Sequence, residues 1–494
     1  MRALLVYPEF PDTFWSFKHA LKFVGRKATC PPLGLVTISP MLPVDWERRL
    51  IDMNVQPLND ADLEWADIVL LSAMTVQQDA VRQILERCKA VGLPVVAGGP
   101  LFTMEPEDYP DPDHLVLNEG EITLPRFLDD LNHGQAERCY ATDDYADLAT
   151  TPPPDWGLLD LDAYDSMSVQ FSRGCPFACD FCNITSLLGR RPRTKSSQQI
   201  IAELDDLYAR GWRRSIFFVD DNFIGNRRVL KQDLLPALIE WRRGKRGVPF
   251  NTEVSIDLAD DAELTTMMVD AGFDKVFIGI ETPDEESLAE CRKGQNLRRD
   301  MLADVRKLQH AGLRVQAGFI VGFDHDTPAI FERQISFIQQ SGIVTAMVGL
   351  LQAPPGTELY ARLKEEGRLL GKAMGNNVDL ATNVLPQMGL EALQEGYRAL
   401  MGHIYSSRPY YERVKTFLRE YRLPKAKPPL DWPSVRALFK SVYVLGIRDE
   451  GRRHYWDLLF WTVRRRPELL PMAVTLAIYG HHFKTITEAN ILGV

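Results

Sequence analysis

The chain has 494 residues, of which 45% are hydrophobic and 25% charged, as in folded globular proteins. This length predicts two or three domains, and a net charge of -10 argues against general nucleic-acid binding. The amino terminus resembles a strand rather than a signal peptide, and no apolar run reaches the roughly 18–20 residues of a spanning helix. We therefore expect a cytoplasmic protein, and its seven scattered cysteines do not suggest a disulfide framework.

Residues 1–140 are predicted to form a flavodoxin-like doubly wound domain. Helical spacing of Val81, Ile84, Leu85 and Cys88 follows the third strand segment and stops at Gly92. The strand segments are RALLVYP, RRLIDMNV, ADIVLLSAM, LPVVAGG and HLVLNEGE. Short apolar strands that alternate with amphipathic helices indicate a parallel sheet covered on both faces, with any ligand at the carboxyl ends of the strands.

Three further parts follow the first domain. Residues 141–165 contain three consecutive prolines and several acids, which predict a stiff, extended connection. Residues 166–365 contain six strand segments separated by helical segments, which predict an open, partial (β/α)6 barrel with functional residues at the carboxyl ends of its strands. Those segments are SMSVQFS, SIFFVDD, FNTEVS, KVFIGIE, RVQAGFIVG and TAMVGLL. Residues 366–494 are predicted to be mostly helical, so the fold class is α/β with a helical carboxyl-terminal region.

Three cysteines, Cys175, Cys179 and Cys182, lie in one loop directly after the first barrel strand. Half of a structural zinc site is one interpretation, which requires a fourth ligand from a distant residue. The remaining cysteines contain no matching pair: Cys30, Cys88, Cys139 and Cys291. Thiolates also hold iron–sulfur clusters, usually four per cubane, so three would leave one iron open to an exogenous ligand.

The loop CPFACDFC, with Phe181 in the aromatic position, resembles the C-x3-C-x-aromatic-C motif of radical S-adenosylmethionine (SAM) enzymes. The resemblance implies a 4Fe–4S cluster whose open iron chelates the amino and carboxylate groups of SAM. It also implies an external electron donor such as flavodoxin or ferredoxin. One electron would cleave SAM to methionine and a 5′-deoxyadenosyl radical, which abstracts hydrogen from an unactivated carbon.

Polar and small residues at the ends of later strands resemble the SAM contacts of this superfamily. Asp221 and Asn222 follow the second barrel strand, where the superfamily binds the methionine amine; helix capping is the alternative. The other implied SAM contacts are Glu253, Ser255, Glu281, Gly318 and Gly322. Arg193 and Lys195 are available for the SAM carboxylate, with a solvated charged surface as the alternative.

The first domain resembles the cobalamin-binding domains that precede some radical SAM barrels. Ser72 and Met74 end the third strand, and Gly98 and Gly99 follow the fourth, where only small residues admit the nucleotide tail. The D-x-H-x-x-G loop that supplies an axial histidine is missing, and His19 lies in the corresponding region without that pattern. A domain that has lost its cofactor is the alternative.

Nearly the whole chain is similar to the hopanoid 2-methylase branch of these enzymes. The segments that carry the similarity are FWSFKHALKFVGRKATCPPLGL, LIDMNVQPL, SAMTVQQ, GGPLFT and YGHHF. The branch implies cobalamin-dependent methylation of an unactivated carbon of a lipid-like or other hydrophobic substrate, with one SAM as methyl source and a second as radical source. Two alternatives stay open: a radical SAM cyclase, rearrangement or oxidoreductase reaction without methyl transfer, and a non-catalytic metal-binding scaffold.

Two aromatic segments fit a greasy substrate. The amino-terminal loop carries Phe10, Phe14, Trp15, Phe17 and Phe23. Near the carboxyl terminus, Trp456, Phe460 and Trp461 precede three arginines at 464–466, which suits either an interfacial helix in peripheral contact with the inner face of a membrane or a helix packed on the barrel with a solvated basic edge. His481 and His482 either face an active site or cap the last helix.

Overall fold

A computed structural model describes residues 1–245, 247–376, 378–423 and 432–493, except for the side chains of 432 and 433. Within these residues the strands are β1 (Arg2–Tyr7), β2 (Glu47–Asp52), β3 (Ile68–Ser72), β4 (Val95–Gly98), β5 (His114–Val116), β6 (Cys139–Tyr140), β7 (Ser166–Val169), β8 (Ser172–Arg173), β9 (Arg193–Thr194), β10 (Ser215–Phe218), β11 (Phe250–Glu253), β12 (Phe273–Glu281), β13 (Arg314–Val321) and β14 (Ala346–Leu350).

The α-helices of the described residues cover the sheets and build the carboxyl-terminal region. They are α1 (Lys18–Val24), α2 (Leu33–Ile38), α3 (Asp60–Trp65), α4 (Gln78–Val91), α5 (Pro100–Met104), α6 (Gly120–Asn132), α7 (Ile184–Leu188), α8 (Ser197–Ala209), α9 (Arg227–Val229), α10 (Leu235–Arg243), α11 (Ala262–Ala271), α12 (Glu285–Glu290), α13 (Met301–Ala311), α14 (Ala329–Ser341), α15 (Glu358–Glu365), α16 (Leu390–Ile404), α17 (Ser407–Glu420), α18 (Trp432–Tyr443), α19 (Arg452–Arg465) and α20 (Leu470–Ile486).

The first sheet has the strand order β2-β1-β3-β4-β5-β6, and all its pairs are parallel. Leu4 and Val6 of β1 pack into one hydrophobic core with α4, while Ala3 and Leu5 pack into the core on the opposite face. Both faces are therefore covered, as the apolar strand segments predict. Strand β6 was not predicted, because two residues carry no recognisable period.

The second sheet has the strand order β14-β13-β12-β11-β10-β7 and is also parallel throughout. In β12, Val276, Ile278 and Ile280 are fully buried on the outer face. The residues that alternate with them, including Lys275 and Phe277, are partly exposed and line an internal cavity. This arrangement confirms the predicted partial barrel, whose edge strands β7 and β14 do not pair with each other.

The segment from 141 to 165 differs from the predicted extended connection. It forms 3-10 turns, each preceded by an aspartate whose carboxylate accepts a backbone N–H two residues further on. These turns are Leu148–Thr150, Trp156–Leu158 and Leu161–Ala163. Trp156 and Tyr164 are fully buried, and the Tyr164 hydroxyl donates to Asp52 at 2.8 Å. Apolar burial therefore holds this segment against the first sheet.

The described part of the carboxyl-terminal region is mostly helical, as predicted; residues 424–431 lie outside the described residues. Helix α19 buries Tyr455 and Leu458, whereas Phe460 is 68% exposed. The interpretation of a packed helix with an exposed edge therefore agrees with the structure, and membrane contact stays a prediction. Among the described residues, none of the helices is both long and apolar enough to span a bilayer.

Candidate functional site

One continuous cavity of about 1910 Å³ lies between the carboxyl ends of the two sheets and extends along the inner face of the second. From the first sheet, the predicted residues Ser72, Met74, Gly98 and Gly99 line it. From the second sheet, the predicted residues Asp221 and Glu253 line it. The fold thus brings the two groups of predicted residues, which are far apart in sequence, to one shared space.

The smallest separation in sequence between the residues of the first sheet and those of the second is 122 positions, from Gly99 to Asp221. No local sequence pattern joins residues so far apart. Their meeting depends on the packing of the two sheets, which turns the carboxyl ends of both sets of parallel strands toward the same cavity.

The cysteine loop follows β8 and returns through α7 to β9, and β8 and β9 form a separate two-stranded antiparallel sheet. The Cys175 amide donates to the Gly189 carbonyl, and the Cys182 amide donates to the Cys179 carbonyl, both at 3.2 Å. Gly174 has φ +95°, and a Cβ on it would lie within about 3 Å of three carbonyl oxygens. Only glycine fits there, so this residue allows the loop to fold tightly around its three cysteines.

The three thiols are half-buried and form no disulfide with any described cysteine. Burial raises the pKa of Cys182 to about 12 and also raises the pKa values of Cys175 and Cys179. Iron would have to displace these protons, as metal binding to thiols generally does. In the described ranges, no three or more Cys, His, Asp or Glu side chains converge on a single-ion site. A cubane does not require such convergence, because each thiolate binds a different iron atom.

Lys293 is a cation beside the cysteine loop that sequence reasoning missed. Its Nζ lies 2.6 Å from Glu281 Oε1 and 6.0 Å from the centre of the Phe181 ring. Glu281 has φ 63°, and its Oε1 would lie 2.3 Å from a Cβ on Gly279. Glu281, a predicted SAM contact, is therefore held by Lys293; burial lowers the pKa of that lysine, but the charge and hydrogen bond of Glu281, together with the nearby thiols, outweigh burial and raise it.

Asp220 and Asp221 follow β10 and have different surroundings. Asp220 is fully buried and accepts hydrogen bonds from the Phe171 amide at 3.1 Å and from Ser172, so it anchors the chain that enters the cysteine loop. Asp221 Oδ2 is buried without a hydrogen-bond partner among the described residues. Burial raises the pKa of Asp221 to about 6, so this carboxylate is a ready acceptor for a cationic amine.

The predicted SAM contacts divide between two spaces. Glu253 lines the large cavity near Asp221, and burial, reinforced by the Asp221 charge, raises its pKa to about 8. Asn222 and Ser255 instead hydrogen-bond each other at 3.3 Å and line a smaller cavity of about 320 Å³. That smaller cavity lies beside Pro176 of the cysteine loop.

The predicted glycines Gly318 of β13 and Gly322, which follows this strand, are both explained by contacts within the protein. A Cβ on Gly318 would lie 3.2 Å from the Phe277 ring, so this ring packs against the glycine that was predicted to contact SAM. Gly322 has φ +111°, and its amide donates to Asp326 at 2.8 Å. Gly318 is therefore needed for the packing of Phe277, and Gly322 for the turn that ends the strand.

The first sheet presents a narrow glycine surface to the cavity. Gly99 has φ +91°, and a Cβ on it would lie 2.7 Å from Ser72 Oγ; a Cβ on Gly98 would lie 2.6 Å from the Val116 carbonyl oxygen. Met74 is 47% exposed and faces the same cavity. Small residues at both positions leave the backbone accessible to a bulky cofactor, which fits the predicted cobalamin contacts.

No histidine among the described residues lines this cavity. His19 lies 3.6 Å from Asp12, and burial lowers its pKa. His482 is fully buried, with its Nε2 3.1 Å from the Phe14 carbonyl oxygen, and His481 packs against the Phe23 ring. Helix α20 continues to Ile486, so neither of these two histidines caps it or faces the site.

An ion network that sequence reasoning missed joins the two domains beside the cavity. Arg173 pairs with Glu119 at 3.1 Å and with Glu121 at 2.8 Å, and Arg193 pairs with Glu119 at 2.5 Å. The Glu119 side chain is only 3% exposed. Arg193 is therefore engaged, and Lys195 is likewise buried against Glu203 at 2.5 Å. These pairings correct both expectations for Arg193 and Lys195, as SAM contacts and as solvated charges.

The aromatic amino-terminal loop contributes to both the core and the cavity. Phe14 and Phe17 pack against Phe483 of α20, with ring centres 5.3 and 5.7 Å apart. Trp15 reaches the inner face of the barrel, where its ring centre lies 4.9 Å from that of Phe277. The loop therefore supplies one apolar wall of the site.

Comparison with known proteins agrees with these features. The chain matches the radical SAM superfamily over residues 169–338, the B12 binding domain over 24–128 and a domain of unknown function (DUF4070) over 357–492. It is 44% identical to the uncharacterized methyltransferase sll1242 of Synechocystis over 99% of this chain and 92% of that protein. It is 33% identical to the hopanoid C-2 methylase of Rhodopseudomonas palustris over 99% of this chain and 94% of that protein. The chain belongs to the cobalamin-binding radical SAM enzymes.

A solved structure shows the same fold in this cobalamin-binding radical SAM family. The cobalamin-dependent SAM radical enzyme OxsB, with aqua-cobalamin bound, superposes with a TM-score of 0.61 at 15% identity, covering 100% of this chain and 81% of that chain. The predicted fold class, cofactors and enzyme class are therefore confirmed: this radical SAM enzyme uses a 4Fe–4S cluster, SAM and cobalamin, and it is a C-methyltransferase. The alternative of a non-catalytic scaffold is wrong.

Proposed function

We propose that this cobalamin-binding radical SAM enzyme methylates an unactivated carbon of an elongated, lipid-like hydrophobic substrate. The observation that carries the proposal is the continuous cavity, which joins the glycine surface of the first sheet to the inside of the barrel. Similarity to the hopanoid C-2 methylase of Rhodopseudomonas palustris makes a hopanoid the first candidate substrate.

The residues present fit the three cofactors. Cys175, Cys179 and Cys182 would hold the cluster, which supplies the electron that cleaves SAM to a 5′-deoxyadenosyl radical. Asp221 offers an unpaired carboxylate to the SAM amine, and Glu253 lines the cavity near it. The glycine surface of the first sheet, with Ser72 and Met74, would hold cobalamin, which carries the methyl group.

The cavity walls suit a hydrocarbon skeleton. Trp15, Phe217, Val219 and Phe277 line the middle of the barrel. Each Å² of apolar surface that a substrate buries there contributes about 25 cal/mol to binding. A substrate that fills this space also excludes water from the carbon that reacts.

Product stoichiometry tests the proposal. The anaerobically reconstituted enzyme, with cobalamin, SAM and a low-potential reductant, is incubated with a pentacyclic hopanoid or with tryptophan as a polar comparison. We expect equal amounts of S-adenosylhomocysteine, 5′-deoxyadenosine and a hopanoid product heavier by one CH₂, and no product from tryptophan. Consumption of the hopanoid with 5′-deoxyadenosine but without S-adenosylhomocysteine would instead identify a cyclase, rearrangement or oxidation.

The enzyme also requires an external source of electrons, because the cluster must be reduced before each SAM cleavage. We propose a small redox protein such as flavodoxin or ferredoxin for this role. Replacing the chemical reductant by reduced flavodoxin or ferredoxin should sustain 5′-deoxyadenosine formation over many turnovers. Formation only with the chemical reductant would reject both donors.

A further inference from the structure

The large cavity does not end at the residues assigned to the cofactors. It continues along the inner face of the second sheet to the amino ends of the strands, where a polar ring surrounds it. We call this ring the cavity floor; its residues are Asp165, Ser166, Ser215, Asn251, Lys275 and Arg314. Strand register places Ser166 beside Ser215, and Lys275 between Asn251 and Arg314.

Most polar groups of the cavity floor already have partners. Asn251 donates to Ser215 Oγ at 2.9 Å, and Arg314 pairs with Asp274 at 2.6 Å. Ser166 donates to the Ser215 carbonyl at 3.1 Å. These bonds fix the shape of the floor before any ligand arrives.

Lys275 and Asp165 are the exceptions. Within the described part of the chain, neither side chain forms a hydrogen bond or an ion pair, although both line the cavity. Burial lowers the pKa of Lys275 and raises that of Asp165, so each charge is poorly solvated. A donor and an acceptor without partners in a sheltered space offer binding energy to a polar ligand group.

The charges of the floor indicate which kind of group fits. The floor contains the cations Lys275 and Arg314 and the anion Asp165. Asp274, which pairs with Arg314 and also lines the cavity, supplies a second anion, so the formal charges of these four residues cancel. A ligand group with a net charge of either sign would meet no excess of opposite charge. A neutral group that both donates and accepts hydrogen bonds, such as a hydroxyl, would satisfy Lys275 and Asp165 together.

The position of the floor sets the length of the ligand. Ser215 of the floor and Asp221 both line the cavity and lie six residues apart on β10 and the segment that follows it, which corresponds to about 20 Å of extended chain. The aromatic wall formed by Trp15 and Phe277 lies between them. A single molecule that touches both ends is therefore long, apolar in its middle and polar at the end farthest from the cysteine loop.

From this geometry we infer that the cavity floor is a second substrate subsite, which binds the neutral hydroxylated end of an elongated amphiphile. Lys275 donates to this end and Asp165 accepts from it, and the opposite, apolar end presents the carbon that is methylated. The inference rests on the proposed function for the identity of that reaction, but the subsite can be tested without turnover.

The test compares three amphiphiles that share an n-decyl chain and differ in the head group: a glucoside, a carboxylate and a trimethylammonium. Calorimetry with the cobalamin-loaded enzyme measures their affinities below the concentrations at which they form micelles. We expect the glucoside to bind about tenfold more tightly than either ionic compound. Equal affinities, or a preference for an ionic head group, would overturn the inference.

Variants locate the preference. Lys275→Met and Asp165→Asn should each weaken glucoside binding by about tenfold and remove the preference for it, whereas Lys89→Met, an exposed lysine paired with Asp111, should change nothing. Lys275→Gln keeps a hydrogen-bond donor but removes the charge, and it replaces Lys275→Met in this test if the methionine variant does not fold. Retention of the glucoside preference in folded variants of both residues would also overturn the inference.

Turnover gives a separate result. If a hopanoid with a hydroxylated side chain is the substrate, Lys275→Met should raise its KM and leave the KM of the corresponding hydrocarbon unchanged. A chain that discriminates between head groups but forms no methylated product would reject the proposed function and leave the subsite standing. Methylation without head-group discrimination would reject only the subsite.

Discussion

The two parallel sheets are built alike and are used differently. In the first sheet, successive residues of β1 enter hydrophobic cores on opposite faces, so a ligand can approach only the strand ends. In the second sheet, the outer face is packed, and the inner face borders the cavity along β7, β10, β11, β12 and the start of β13. A ligand can therefore contact the first sheet only at the carboxyl ends of its strands, whereas it can contact the second sheet both there and along its inner face.

The sequences of the strands already contain this difference. The segment ALLV in β1 is apolar without interruption, as expected for a strand buried on both faces. The segment DKVFIGIE in β12 alternates, and its second set of residues includes Lys275 and Glu281. Alternation in a parallel strand is therefore a sign that a ligand lies along the sheet face.

We expect the largest effect from Cys182→Ala, which should abolish the function of the second sheet and leave cobalamin binding by the first sheet intact. Loss of one thiolate should remove the 4Fe–4S cluster and bring 5′-deoxyadenosine below detection, while the first sheet still binds cobalamin. Iron and sulfide content, product analysis and the cobalamin spectrum measure this. Cys139→Ala, at an exposed cysteine outside the loop, is the control and should keep its iron. Full iron content in the Cys182 variant would contradict the assignment.

Glu119→Gln should weaken the junction between the sheets. Neutralising this carboxylate leaves Arg193 without a buried partner charge and Arg173 with Glu121 alone, at a cost of about 3–5 kcal/mol in the free energy of unfolding. Asp67→Asn, which removes an exposed ion pair with Arg2, should cost less than about 1 kcal/mol. Denaturant unfolding measures the loss of unfolding free energy in each variant. Equal losses would show that the buried junction stabilises the protein no more than an exposed ion pair does.

The inner face of the second sheet should make stability depend on pH through Glu253. Because burial raises the pKa of Glu253 to about 8, its contribution to folding is complete below the ordinary pKa of 4.5 and is lost as pH rises through 8. In the cofactor-free protein, Glu253→Gln should remove about 3 kcal/mol of the decline in unfolding free energy between pH 5 and 8. Urea unfolding of the wild type and the variant across this pH range tests the prediction. The same pH dependence of unfolding free energy in both proteins would show that Glu253 is solvated.

The smallest effect concerns the edge of the first sheet. Gly99→Ala introduces a Cβ 2.7 Å from Ser72 Oγ at φ +91°, and we expect cobalamin affinity to fall by about tenfold, or about 1.4 kcal/mol. Gly92→Ala is the matched control, because Gly92 also has positive φ but has no atom within 4 Å of the new Cβ. Equal cobalamin binding by both variants would remove Gly99 from the site.

Local patterns account for the parts of this fold that the sequence predicts. The alternating pattern of β12 and the spacing of the three cysteines are each contained in fewer than ten residues. The structure has the predicted strand at β12 and places the three cysteines in one loop, as predicted. Strand β8 has two residues, so it shows no period, and the helical pattern of α4 could be recognised because it spans four turns.

The contacts that shape the site are long-range and left no such pattern. Arg173 meets Glu119 from 54 residues away, and Trp15 reaches Phe277 from the opposite domain. Lys293 is only 12 residues from Glu281, but its approach depends on the left-handed backbone of that glutamate. A single sequence does not reveal such partners, because nothing local distinguishes a buried ion pair from two surface charges.

The Glu119–Arg173–Arg193 network has a consequence for the ancestry and engineering of this chain. Its anions belong to one module and its cations to the other, so each module alone carries buried charge that only the other neutralises. A cobalamin module grafted from a different enzyme would fold onto this barrel only if it brought carboxylates at matching positions. The two modules are therefore expected to be inherited, and to be exchanged in the laboratory, as a pair.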